Sequence, residues 1–195
     1  PLYTARELHN QLADSGAKVV IIAETFGKTL EEAIPGTAVE TVISTGIADL
    51  FPFFKRTLVN FAVKYVKKMI TPFSVPHLVR FRDALSQGHS SGFRPVPLKN
   101  TDVALLQYTG GTTGVAKGAM LTHRNVLANV EQTGTWISQT FVIGKETALT
   151  VLPLYHIFSF TATLCFLKRA ARQVLIADPR DINHVTVSYT HLTLP

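Results

Sequence analysis

Cysteine is almost missing from this sequence. Cys165 is the only one in 195 residues, so no disulfide can form within the chain, which fits a reducing compartment. No apolar run is long enough to cross a bilayer. The most hydrophobic stretch, Ile157 to Leu167, falls well short of the ~20 residues that a spanning helix needs. Acids are outnumbered, 13 against 19 Lys and Arg, for a formal net charge of +6. That mild, scattered excess suits phosphate ligands or an anionic membrane surface, and is too small to argue for nucleic acid. His9, His77, His89, His123, His184 and His191 show no ligand spacing, and no dedicated metal motif is visible. There is no recognisable signal peptide. The first residue is Pro1, in mid-element, so the chain reads as a fragment of a longer protein. What it has in quantity is apolar residues, 46% of the total, enough for a sizeable core and about one domain.

Thr4 and Glu7 form a capping-box pattern, Leu8 and Leu12 continue at helical spacing, and Gly16 is a natural stop. Val19 to Ala23 is a continuous β-branched run, expected as a strand buried on both faces. Thr29 and Glu32 repeat the capping-box spacing before a short helix, and Val39 to Ser44 reads as the next strand. Helix, strand, helix, strand predicts an α/β fold with a mostly parallel sheet and flanking helices. Ser86 to Gly92 reads as a loop, and Ala104 to Tyr108 as a buried strand. Thr122 is placed to cap a helix carrying Val126, Val130, Ile137 and Phe141 on its buried face, with Trp136 close to that stripe and expected in the core. Strands are expected at Ala148–Leu152 and Val174–Ile176, with a hydrophobic helix from about Phe158 to Leu167 between them.

The chemistry concentrates between Tyr108 and Gly118. Tyr108, Thr109, Gly110, Gly111, Thr112, Thr113, Gly114 and Lys117-Gly118 join glycines, hydroxyl donors and one cation in a single turn. Glycines let the backbone approach a ligand closely, and successive amides in such a turn form an anion-binding hollow. The spacing is not that of a P-loop, because Lys117 follows Gly114 by three residues and precedes Gly118. A second constellation, Pro153-Leu154-Tyr155-His156-Ile157-Phe158, follows a predicted strand. Ligands in open α/β sheets bind beyond the carboxyl ends of strands. His156 would then share a side with the glycine-threonine turn if both strands lie in one sheet.

The ordered string Thr109 to Gly118 resembles the phosphate loop of the adenylate-forming superfamily, which includes acyl-CoA synthetases, luciferases and peptide-synthetase adenylation domains. Ala119 to Asn125 extends that resemblance, and Pro1 to Leu8 together with Leu152 to Phe158 resembles its bacterial long-chain fatty acid–CoA ligase branch. The resemblance implies part of a large N-terminal domain, over about residues 1–184. It implies ATP, a long-chain fatty acid and coenzyme A as substrates, with Mg2+ arriving on the nucleotide phosphates. It implies an acyl-AMP formed first and a thioester second. Tyr108 to Gly114, Lys117 and Gly118 would bind ATP, and Lys117 and His156 would be catalytic. Tyr155, His156 and Phe158 would border the acyl site. Further motifs of the family would lie past residue 195, and the chain alone is expected to be inactive. Residues 185–195 depart from the family pattern and read as a non-native tail. Two other readings stay open: another adenylating ligase, acting on aryl acids or amino acids, and a non-catalytic nucleotide-binding module.

Residues 51–82 form a basic amphipathic insert. Plotted at ~100° per residue, Leu58, Phe61, Ala62, Tyr65 and Met69 share one face of a helix over Lys55–Ile70, opposite Asn60, Lys64, Lys67 and Lys68. Either the apolar face packs on the domain, or the segment lies on an anionic membrane through Lys64, Lys67 and Lys68. The resemblance implies a cytoplasmic enzyme, and the second option would place it peripherally on the inner face of the plasma membrane.

Overall fold

The computed structural model describes residues 3–109, 116–176 and 185–187. It divides into two compact units, Pro1–Pro97 with Tyr108–Gly118, and Leu98–Gln107 with Ala119–Pro195.

In the first unit, α1 (Ala5–Ser15) begins where the Thr-x-x-Glu pattern predicts. The Glu7 amide donates to Thr4 Oγ1 at 3.3 Å and the Thr4 amide donates to Glu7 Oε2 at 2.8 Å. These bonds satisfy donors that a helix start leaves open. Gly16, at φ 62°, closes the helix in the left-handed region. β1 (Val19–Ala23), β2 (Thr41–Thr45) and β3 (Leu78–Arg80) then form a parallel sheet in the order β1-β2-β3, with Ile21 beside Ile43 and Ile43 beside Val79. A 3-10 turn, Glu24–Phe26, leads into α2 (Gly27–Ala33). Leu12 of α1, Leu30 of α2 and Val42 of β2 centre the core, with Val20 and Ile22 packed against them.

Several local expectations are corrected here. β1 is not buried on both faces: Val19 and Ile21 remain 55% and 62% exposed. Side chains alternate along a strand, and α1 and α2 pack on the side of Val20 and Ile22. The Thr29–Glu32 pattern does not cap α2. The chain enters that helix from the 3-10 turn, with Phe26 at the N-cap and the Gly27 amide bonded to the Glu24 carbonyl. Gly27 is buried, and a Cβ there would run into the ring of Phe73. Ser86 to Ser91 is helical, within α4 (Phe81–Ser91). The Ser90 and Ser91 hydroxyls donate back to the Gln87 carbonyl at 2.9 and 2.8 Å, so serines that suggest a loop instead bond within the helix.

The basic segment is α3 (Phe53–Phe61) followed by a π-helical turn, Ala62–Val66. It starts before Lys55 and stops short of Ile70, with Lys68 at φ 48°. Val63, 8% exposed, fastens it. Asn60 also holds it, accepting from the Ala48 amide at 3.1 Å and donating to Asp49 Oδ1 at 3.0 Å.

The second unit carries most of β4 (Val103–Thr109) and β5 (Lys117–Thr122), which pair as a two-stranded sheet. β4 is not the buried strand expected: Val103 and Leu106 are exposed, because β5 is its one sheet neighbour among the described residues. Thr122 does cap α5 (His123–Ile137), in a reciprocal box with Asn125. β6 (Thr147–Thr150), α6 (Ile157–Lys168) and β7 (Arg172–Leu175) follow, and β6 and β7 pair in parallel. Trp136 is 89% exposed and is not core. It stands two residues from buried Gly134, about 200° around α5 at ~100° per residue. Phe141 lies past the helix end, where its ring stacks on Phe166 at 5.9 Å.

The end of α6 turns through a left-handed residue that is not glycine. The Ala170 amide donates to the Leu167 carbonyl at 3.0 Å and the Ala171 amide to the Phe166 carbonyl at 2.9 Å, the two bonds of a Schellman motif. That motif needs a left-handed residue, and Ala170 takes the role at φ 52°. A Cβ there costs ~1–2 kcal/mol. Ala170→Gly is therefore expected to stabilise the protein by about 1 kcal/mol, read as a raised urea midpoint with unchanged m-value.

Candidate active site

The two described ends of the glycine-threonine turn lie in the first unit. Tyr108 and Thr109 close β4, and Lys117 and Gly118 open β5. Gly110, Gly111, Thr112, Thr113 and Gly114 lie outside the described residues. Thr109 and Lys117 are exposed. Tyr108 is half-buried, and its hydroxyl donates to Asp14 Oδ2, in the last turn of α1, at 2.5 Å. Its ring lies on Gly118. A Cβ on that glycine would sit 3.0 Å from the ring's Cζ and 3.1 Å from Cε2. A side chain there would be tight against the ring, which would have to give by a few tenths of an ångström. This contact and the Asp14 bond carry no obvious sequence signal, since Asp14 is 94 residues away.

The second constellation lies in the second unit. His156 is the N-cap of α6, and its Nδ1 accepts from the Phe158 amide at 3.3 Å. The backbone before it is fixed by the His156 amide bonding the Pro153 carbonyl at 2.9 Å, and by Ser159 Oγ donating to the Leu152 carbonyl at 3.0 Å. With Nδ1 an acceptor, a neutral ring carries its proton on Nε2 and offers a donor. His156, Tyr155 and Phe158 are all exposed. Phe158 also lines a cavity of about 710 Å³ between α5 and α6, with Val126, Ile137, Thr161 and Cys165. Asn125, Asn129 and Thr133 supply its polar edge from α5. Their four-residue spacing is visible in the sequence but carries no functional signal by itself. β4 and β6 belong to separate two-stranded sheets, so the condition that would place His156 beside Lys117 through one sheet is not met among the described residues. No group of three His, Cys, Asp or Glu side chains there could hold a metal ion.

A family profile described as "AMP-binding enzyme" matches residues 1–193. The chain belongs to the AMP-binding enzymes. It is 49% identical over 183 residues to a long-chain-fatty-acid–CoA ligase of Escherichia coli O157:H7, covering 93% of this chain and 33% of that protein. The chain therefore spans about a third of the length of such relatives. Among solved structures, the anthranilate CoA ligase AuaEII with anthranoyl-AMP superposes with a TM-score of 0.69 at 16% identity. That match covers 97% of this chain and 32% of the other. A long-chain-fatty-acid-CoA ligase from Archaeoglobus fulgidus superposes at 0.58 and 22%, covering 90% and 29%. At such identities the structures establish the fold. This member of the AMP-binding enzymes has the mixed α/β architecture with parallel pairing that its helix-strand rhythm predicts.

Burial, then the hydrogen bond to Asp14 and its charge, push the Tyr108 hydroxyl up to about 12 from an ordinary 10.0. A raised pKa means that the folded state disfavours the phenolate. The stabilisation is then complete below pH 10 and is lost as pH climbs toward 12. Tyr108→Phe should remove this alkaline component. In urea titrations, the stability gap between the two proteins is expected to be constant from pH 7 to 9 and to narrow from pH 10 upward.

Proposed function

We propose that this chain supplies the phosphate-gripping turn and part of the acyl site of a long-chain fatty acid–CoA ligase. The observation that carries the reading is the 49% identity to such a ligase across nearly the whole chain. In the reaction, a fatty-acid carboxylate oxygen bonds to the α-phosphorus of ATP and pyrophosphate leaves. The thiol of coenzyme A then attacks the acyl carbon, loses its proton, and AMP departs. An anionic nucleophile must approach a polyanion, so aimed donors and positive charge have to be in place beforehand. Lys117 and the Thr109 hydroxyl suit the charge on the leaving pyrophosphate. Magnesium would enter with the nucleotide, whose phosphate oxygens and waters are its usual ligands, with Thr109 the described hydroxyl nearest in sequence to the turn. His156, with Nδ1 occupied by the Phe158 amide, would direct Nε2–H at a carboxylate or phosphate oxygen. The groove lined by Phe158 is apolar over most of its wall and would take the acyl chain. Its volume of about 710 Å³ lies within the ~300–1,000 Å³ usual for ligand sites.

The test uses the full-length protein carrying this chain. Fatty-acid-dependent ATP–pyrophosphate exchange is expected with oleate, and not with coumarate or amino acids. Lys117→Ala should lower it by roughly 100-fold or more, the cost of losing one aimed donor, ~3 kcal/mol. Exchange with coumarate alone would move the protein to the aryl-acid ligases. Nucleotide binding without exchange would favour a non-catalytic module.

We also propose that α3 rests on an anionic membrane. Leu58, Phe61, Tyr65 and Met69, the face that would pack on the domain in the alternative, are exposed, and Phe54 is 86% exposed. Lys64, Lys67 and Lys68 are exposed too. Cations lie against rings of the same surface, Lys55 over Phe51 at 4.7 Å and Lys64 over Tyr65 at 5.5 Å. Rings and ammonium groups sharing one surface suit the headgroup layer. Reversing Lys67 and Lys68 to Glu should weaken binding to vesicles containing phosphatidylglycerol at least tenfold, at ~1 kcal/mol per cation removed. Unchanged sedimentation with those vesicles would end the idea.

A further inference from the structure

Tyr108 belongs to the turn expected to bind ATP, but its hydroxyl is engaged with the carboxylate of Asp14. Tyr108 immediately precedes Thr109, and Gly118 immediately follows Lys117. The ring of Tyr108 therefore touches the backbone next to the ammonium while its own backbone carries the hydroxyl residue. The contact is made by the Cζ end of the ring: Cζ, Cε2 and Cε1 lie 3.0, 3.1 and 3.3 Å from where a Gly118 Cβ would be. From that seat the phenol oxygen reaches Asp14 Oδ2 at 2.5 Å, a short bond of the charge-assisted kind.

Asp14 is a firm anchor. It stands in the last turn of α1, a helix capped at both ends, two residues from Leu12, which is one of the three buried centres of the core. The phenol remains a donor through the neutral range, since its proton is held up to about 12.

We propose that Tyr108 is a positioning residue. Its ring, seated on Gly118 and tied to Asp14, sets the spacing and direction of Thr109 and Lys117 relative to α1. This rests on the reading of Lys117 and Thr109 as phosphate ligands. A cation on a long, flexible stem contributes most when its backbone is held where charge develops. The Asp14–Tyr108–Gly118 contact performs that task from outside the substrate.

The experiment is a double-mutant cycle on ATP–pyrophosphate exchange in the full-length protein. Tyr108→Phe keeps the ring and removes the donor; Asp14→Ala removes the acceptor; Asp14→Asn keeps one. Tyr108→Phe and Asp14→Ala are each expected to lower kcat/KM for ATP about tenfold, with KM for the fatty acid unchanged. The double variant should be no worse than either single one, and Asp14→Asn should recover most of the loss. A residue acting through general stability would instead shift both substrates together and give losses that multiply. Multiplied losses, or a Tyr108→Phe effect under twofold while Lys117→Ala is severe, would overturn the positioning role and leave the phosphate-turn reading standing. If Lys117→Ala were also without effect, the phosphate-turn reading itself would fall, and the positioning role with it.

Discussion

The packing of α1 and α2 onto one face of the β1-β2 pair is the constraint on which the first unit depends. Leu12, Leu30 and Val42 meet there, and nothing else described in that unit forms a comparable apolar centre. Full burial of such side chains contributes ~1.5–3 kcal/mol each. The same contact fixes the direction in which α1 ends, hence the position of Asp14 and, through Tyr108, the two ends of the glycine-threonine turn. A hydrophobic contact thus bears on the position of Lys117, the cation proposed above to grip phosphate, from a distance and without any core residue belonging to the turn. The logic is that of a rigid element carrying a functional group whose own geometry is soft.

The parts of the fold that were legible in the sequence were those decided by neighbours a few residues apart. Thr4 with Glu7, and Thr122 as a cap, are local bonds, and both form as read. Thr29 with Glu32 has the same spacing and fails, because the helix already starts at Gly27, out of the 3-10 turn, which puts Thr29 inside it. Pattern alone cannot see that the preceding residues curl. Val19 to Ala23 shows the complementary limit. A run of β-branched residues says that a strand forms, while burial of each face depends on what covers it, and α1 and α2 cover only one. Trp136 lies close to the apolar stripe of α5 in sequence, which suggests core. Its angle from Gly134 on α5 was the better guide, and it puts the indole outside.

The candidate site divides along the same line. Residue types were readable: a cation among glycines and hydroxyls at Lys117, an imidazole at the mouth of an apolar helix at His156. Geometry was not. That Nδ1 of His156 is taken by the Phe158 amide follows from its N-cap position, which appears only once α6 is seen to start at Ile157. The Tyr108–Asp14 bond joins residues 94 apart, and no periodicity connects them. The Asn125, Asn129 and Thr133 edge of the groove was visible as a repeat of four on a predicted helix. Small polar residues at that spacing usually face solvent, so the repeat alone does not mark a groove.

The basic segment shows how attachment decides between two uses of one helix. Helical spacing divides Lys55–Ile70 into an apolar stripe and a lysine stripe, and an ordinary surface helix would bury the first. Here the helix is held by Val63 and by the Asn60 side chain bridging Ala48 and Asp49. Asn60 belongs to the polar stripe, so the bridge turns Leu58, Phe61, Tyr65 and Met69 outward. Hydrogen bonds to a carboxylate and a backbone amide can outweigh an apolar contact in fixing rotation, since leaving buried polar groups unmet costs ~1–3 kcal/mol. The aromatic rings that result stand in water unless an amphipathic surface covers them. In the proposed membrane contact the exposed Lys64, Lys67 and Lys68 favour a surface of negative charge, which the headgroups of an anionic bilayer present in a plane.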